Sequence, residues 1–198
     1  MAYLSREARR EQIVNAVVDI VSREGLDAAT VRRIAQELDC SPGQIHHHFS
    51  SAEALRAEAV REVWAALKPK LDLALDRLPP RERLRTVVAG CVDVLGEEAA
   101  LLSTAKRLWR EARATRKEPE VRAAVLEGIT KMREEITTSL RQGIDSGVFP
   151  ATIAVEEVAM RLIVASQGFD LLEEIEATGA LGSDKLAFTD EVLKREGL

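Results

Sequence analysis

The chain is poor in aromatic residues, which make up 4% of its 198 positions, and it holds only two cysteines, Cys40 and Cys91. Neither cysteine lies in a CxxC or Cys/His spacing, which argues against a disulfide framework or a zinc site and fits a reducing compartment. No apolar run approaches the roughly 20 residues needed to cross a bilayer. The opening MAYLSREARREQ turns charged at once and lacks the apolar centre of a secretory signal, so a soluble cytoplasmic protein with no membrane partner is expected. Catalytic signatures are missing too: there is no G-x-S-x-G, P-loop, HExxH or paired Glu-x-x-His, and neither an enzyme nor a cofactor is expected. An excess of basic charge is also lacking. The formal net charge is -5, and residues 1–50 carry six arginines and no lysine against seven acids. In bulk this argues against a nucleic-acid partner. The arginines are grouped, however, with Arg6, Arg9 and Arg10 at the first helix and Arg32 and Arg33 at the second, so a local basic face is compatible with an acidic total.

What the chain has in quantity is Ala, Leu, Glu and Arg, a composition that favours helix over strand. Apolar spacing predicts a first helix over about 6–24, with Ile13, Val17, Ile20 and Val21 on one face and Gly25 just past its end. Thr30 is placed to cap a second helix over about 31–39, whose inner face is Val31, Ile34, Ala35 and Leu38. Ser41 and Gln44 form an S-x-x-Q capping box with Pro42 at the first helical position, opening a short third helix to about Phe49. Ser50 and Glu53 form a second box at the start of a fourth helix. Three short helices followed by a long one are the arrangement of a helix-turn-helix hung on a connecting helix. Further on, Pro69 is expected to kink or end the fourth helix. Pro79-Pro80 breaks the chain before an apolar stripe that runs from Leu84 to Gly96. Helices are expected over about 97–116, 119–144, 153–176 and 184–195, with Gly179 and Gly182 in a loop. The expectation is an all-α protein: a helix-turn-helix domain over 1–55 and a helical bundle over 56–198.

On the third helix, placing Ile45 and Phe49 inward turns Gly43 and His47 outward, sets Gln44 and His46 on the flanks and leaves His48 nearest the interior. A glycine on the exposed face permits close approach to another surface. With Gln and His beside it, that surface suits base edges and phosphates in a major groove. Gln44 has two readings, capping Ser41 or reading adenine or another base edge. His46 and His47 are placed to donate to phosphate or guanine, while Thr30 and Arg32 flank the groove and hold phosphates. Arg33 is equally a solvated partner for Glu37 one turn away. Consecutive histidines point about 100° apart, so His46, His47 and His48 do not converge on one ion and no metal site is expected.

The stretch TVRRIAQELDCSPGQIHHHFSSAEAL, preceded by a helix ending EGL, resembles the DNA-binding signature of the tetracycline-repressor-like (TetR) family. Thr30, Ile34, Ala35, Ser41, Gly43, Ile45, Phe49, Ser51, Glu53 and Leu55 match its pattern, and the resemblance covers about the first 60 residues. It implies a homodimeric, ligand-responsive transcriptional regulator, usually a repressor, that binds a palindromic double-stranded operator and is released by a small molecule. The DNA-contacting set it implies is Thr30, Arg32, Ser41, Pro42, Gly43, Gln44, His46, His47 and His48. It also implies an effector pocket in the C-terminal bundle, for which Trp64, Cys91, Arg107, Trp109, Met132, Gln167 and Phe169 form the search zone. Dimer contact is expected on the last long helices, where Ala154, Ala159, Ala165, Ser166 and Gly168 alternate with larger apolar residues. Three positions depart from the pattern: Ala52 replaces the usual Lys, His46 a frequent Tyr, and Pro42 a position often basic. These predict weaker electrostatic affinity or more reliance on the Arg-rich arm. The rival reading is a helical ligand- or partner-binding protein with weakened DNA binding.

Overall fold

Local signals set most of the helix ends. In the computed structural model, which describes residues 5–90, 99–115, 117–182 and 184–198, ten α-helices and no strand are found among the described residues. Ser5 caps α1 (Arg6–Glu24) by accepting from the Ala8 N–H, and Gly25 leaves the helix at φ 92°. Thr30 caps α2 (Val31–Glu37) through the Arg33 N–H, as its position predicts. The turn into α3 (Pro42–His46) is made at Asp39, which takes a left-handed φ of 47° that short polar side chains tolerate. The remaining helices are α4 (Ala52–Leu75), α5 (Pro80–Val88), α6 (Ala99–Ala114), α7 (Pro119–Asp145), α8 (Val155–Glu174), α9 (Ala177–Leu181) and α10 (Lys185–Arg195).

Four local expectations are corrected or narrowed. The Ser41–Gln44 box does not form: the Gln44 N–H bonds the Ser41 backbone carbonyl at 3.0 Å, and the Ser41 hydroxyl makes no capping bond. The cap of α4 is Ser51 rather than Ser50, its hydroxyl accepting from the Ala54 N–H at 3.0 Å. Glu53 then falls within the first turn of α4, and its carboxylate accepts the Glu120 N–H in the first turn of α7. Of the two outcomes expected at Pro69, a kink or an end, the end is excluded, because α4 continues through it to Leu75. The carbonyl it leaves without a helical donor belongs to the exposed Ala65, where water can satisfy it. Finally, the Gly179–Gly182 segment includes the short helix α9 rather than a plain loop.

The chain packs as two units, Met1–Pro69 with Glu97–Gly128, and Lys70–Gly96 with Ile129–Leu198. Helices α4 and α7 contribute to both, so these units interleave along the chain. In the first unit, Ile13, Ile20, Ile34, Ile45, Leu55 and Leu108 are fully buried, which joins α1, α2, α3, α4 and α6 around one core. Bidentate pairs of Arg56 with Glu118, the residue just before α7, and of Arg61 with Glu127 tie α4 to α7 and its start. In the second unit α5, α8 and α10 pack together over Leu84, Leu162 and Leu193. Gly143 is required there: a Cβ at that position would lie 2.0 Å from the ring of Phe149, itself only 4% exposed.

Candidate nucleic-acid interface

The third helix presents the surface its spacing predicts. Ile45 and Phe49 are buried, while Ser41, Pro42, Gly43, Gln44, His46 and His47 are exposed and His48 is half-buried. Thr30 is exposed beside it, and its hydroxyl, already accepting from Arg33, keeps a donor for another acceptor. Arg32 and Arg6 are exposed and form no ion pair among the described residues. Arg33 takes the other course open to it, binding Glu24 at 2.6 Å and Glu37 at 2.8 Å, and Arg23 joins Glu37 at 2.7 Å. Two acids of this acidic segment are thereby neutralised away from α3.

The arginine arm is more committed than its exposure in sequence suggests. Arg10 lies 4.6 Å over the Phe49 ring and pairs with Glu58 at 2.6 Å, so it braces α1 on α3 and α4. Arg9 donates from Nη1 to Gln12 Oε1 at 2.6 Å and from Nη2 to Gln44 Oε1 at 3.0 Å. Only Arg6 of the three has its whole guanidinium uncommitted. Sequence rules could not find these pairings, because the partners lie 35 and 48 residues apart.

The field at α3 is nonetheless positive. Burial holds the His48 pKa below its ordinary 6.5, and the nearby charges of Arg6, Arg9, His47 and Arg10 push it the same way. His48 is therefore neutral at neutral pH. The unfolded chain takes up this proton first. Stability from His48 is thus complete above pH 6.5 and falls as pH drops below it toward the depressed folded value. Denaturant titrations at pH 7.5 and 5.5 should show His48→Gln losing less stability on acidification than the unaltered protein; equal losses would refute this.

The effector search zone divides between the two units. In the first, Trp64 and Trp109 meet edge to face with ring centroids 5.8 Å apart, and Gly128 gives Trp109 room, since a Cβ there would lie 2.5 Å from its ring. The Trp64 indole N–H is buried without an acceptor among the described residues. Arg107 donates to the Val21 carbonyl at 2.7 Å and to the Ser22 carbonyl, and Glu111, one turn on, accepts the Leu26 N–H. Arg107 thus completes the carboxyl end of α1, a role that accounts for its position without a ligand. In the second unit the Gln167 amide lies 4.0 Å from Met132 Sδ, and Phe169 is buried against Phe188 with centroids 5.0 Å apart. Cys91 lies outside the described residues.

A short helix carrying Gly, Gln and His outward, set by a left-handed turn on a capped second helix, defines a helix-turn-helix protein. Residues 13–59 match the family of bacterial regulatory proteins known as the tetR family. It is 31% identical over 111 residues to the HTH-type transcriptional regulator BetI of Paraburkholderia phymatum, an alignment covering 54% of this chain and 56% of that one. The chain thus spans about half the length of the curated relatives it matches. Among solved structures, a transcriptional regulator of Saccharomonospora viridis in complex with choline superposes with a TM-score of 0.69 at 22% identity, covering 96% of this chain and 95% of that one. A TetR-family regulator of Cytophaga hutchinsonii gives 0.70 at 18% identity, covering 99% and 95%. At these identities the likeness is one of fold. The relatives are named as transcriptional regulators, not as enzymes. No helix among the described residues is long and apolar enough to cross a membrane.

Proposed function

We propose that this protein is a ligand-responsive DNA-binding regulator, acting as a homodimeric repressor on a palindromic operator. The observation that carries the reading is the exposed face of α3, where Gly43, Gln44, His46 and His47 stand together in a locally positive field. Residues 1–55 supply DNA contact: Gly43 allows the helix close to the groove floor, Gln44, His46 and His47 meet base edges and phosphates, and Thr30, Arg32 and Ser41 hold the backbone on either side. Two copies of α3 enter successive major grooves about 34–36 Å apart. Selection from a random duplex library tests this, with a two-fold symmetric motif as the expected product. Failure to enrich any sequence at low salt would favour the binding-protein rival.

Residues 56–198 supply dimer contact and effector binding. Support for a second copy comes from α8, whose outer face exposes Met160 (51%), Val164 (63%) and Leu171 (55%) at helical spacing around Gly168, with Ile175 (65%) just past its end. Such a continuous apolar stripe is costly in water and self-complementary across a two-fold axis. Val164→Glu should halve the sedimenting mass at micromolar concentration while leaving the helical spectrum intact. A dimer unchanged by it would place the contact elsewhere.

For the effector, the buried Trp64 N–H, unsatisfied among the described residues, supports a site beside the tryptophan pair, because leaving such a donor unpaired costs about 1–3 kcal/mol that a ligand acceptor would recover. One structural neighbour is in complex with choline, which supports a small organic effector in this fold. Helix α6 carries Trp109 and also grips the end of α1 through Arg107 and Glu111, so a shift of α6 reaches the DNA-binding helices directly. The two tryptophans are the only ones in the chain. Effector candidates that change their fluorescence should also release the operator. By linkage, operator DNA must weaken effector binding by the same factor.

A further inference from the structure

We propose that Arg9 is a specificity-determining residue: it fixes the amide of Gln44 so that α3 turns the Nε2 donors to the base beneath it, with the oxygen already engaged by a cation, and thereby favours guanine over adenine. The proposal rests on the DNA-binding reading above and names the base chemistry of that same helix. Gln44 is exposed on the outer face of α3 and is not consumed in a capping box with Ser41. Its Oε1 accepts from Arg9 Nη2 at 3.0 Å, while Arg9 Nη1 is anchored on Gln12 Oε1 at 2.6 Å. A guanidinium has donors only, so the amide atom facing Arg9 must be the oxygen, and the orientation of Gln44 is decided by chemistry. Its Nε2 is left with two N–H donors and no partner among the described residues.

A free glutamine recognises adenine by accepting from N6–H and donating to N7. Here one lone pair of the accepting oxygen is taken by Arg9 Nη2, and an adenine amino group brought to the other would come up against the adjacent guanidinium, donor beside donor and positive beside positive. Guanine offers two acceptors, O6 and N7, on its groove edge, which suits the Nε2 donors and the adjoining arginine charge alike. Arg9 lies on α1, outside the recognition helix, and acts on the base through Gln44. Because α1 holds it by its own Gln12, the clamp is set before DNA arrives.

The test is selection from a random duplex library by four proteins: unaltered, Gln44→Ala, Arg9→Ala and Arg9→Lys, each checked for an unchanged melting temperature. The position read by Gln44 is the one whose preference vanishes in Gln44→Ala. At that position the unaltered protein should favour guanine, and Arg9→Ala should move the preference to adenine by about tenfold, the scale of one bidentate base contact. Arg9→Lys, which restores charge but only one end of the clamp, should give an intermediate preference. A purely structural or phosphate-binding role for Arg9 would lower affinity equally for all sequences and leave the base unchanged, which overturns the proposal. So does a Gln44→Ala protein with no altered base position. Failure of the unaltered protein to enrich any sequence instead overturns the DNA-binding reading itself.

Discussion

Gly43→Asp should abolish sequence-specific DNA retention, lowering operator affinity on the order of 100-fold or more, with no loss of folding stability. The two halves of that expectation have separate causes. A Cβ at Gly43 meets nothing closer than the Ser41 hydroxyl oxygen at 3.8 Å, so the fold accepts a side chain there. Asp near the amino end of a helix is moreover favoured by the helix dipole, and replacing a helical glycine removes an entropic cost of about 0.5–1 kcal/mol. On DNA the same carboxylate faces phosphates at the point of closest approach, where like charges cost several kcal/mol. Gly43→Ala separates sterics from charge: it should be as stable or slightly more so, and should weaken binding far less than Asp. Thermal melts together with operator titrations measure both. An Asp variant that binds as well as the unaltered protein would remove α3 from the interface.

The largest stability effect should come from Glu135→Ala, about 2–3 kcal/mol, or a fall in melting temperature of about 5–10 °C. Arg83 is buried in the second unit, 9% exposed, and donates to Glu135 Oε1 from Nε at 2.9 Å and from Nη2 at 2.6 Å. Burial works against its charge; the bonds to Glu135 and Asp76 outweigh it and raise the pKa above the ordinary value. Removing Glu135 leaves a desolvated guanidinium held only by Asp76, at 2.7 Å, whose side chain is 67% exposed. Asp76→Ala should therefore cost well under 1 kcal/mol, since solvent screens that pair. Equal effects of the two substitutions would mean that Arg83 is better hydrated than its burial indicates.

Local chemistry made much of this architecture legible. Helix α1 begins and ends where Arg6, Glu24 and Gly25 predict, and Thr30 caps α2, because each signal acts within four residues of its target. The outward face of α3 was equally readable, since two buried residues one turn apart fix every other direction on so short a helix. Where two local solutions compete, sequence did not decide. Ser50 and Ser51 are both competent caps, and the cap that forms is Ser51. Pro69 is a helix breaker whose cost is relieved by solvent at Ala65.

The charge network was not legible at all. The chain has 28 cationic and 33 acidic residues, and no spacing rule says that Arg56 meets Glu118 or that Arg107 meets the end of α1. Those pairings are set by which helix faces meet after folding. They also revise the arm: Arg9 and Arg10, grouped in the sequence as part of a local basic face, are engaged with Gln44 and with Glu58 and Phe49.

The departures at Ala52 and Pro42 bear directly on whether this surface still discriminates between sequences, so the decisive quantity is a ratio rather than an affinity. It is the affinity for the selected operator divided by that for a shuffled duplex, measured by competition at physiological salt. A ratio of about 10³ or more, falling toward unity in Gly43→Asp, is the result expected of a regulator that reads base edges through α3. A ratio near one in the unaltered protein, with all binding lost as salt rises, would leave only nonspecific attraction to phosphates and would contradict the DNA-reading role.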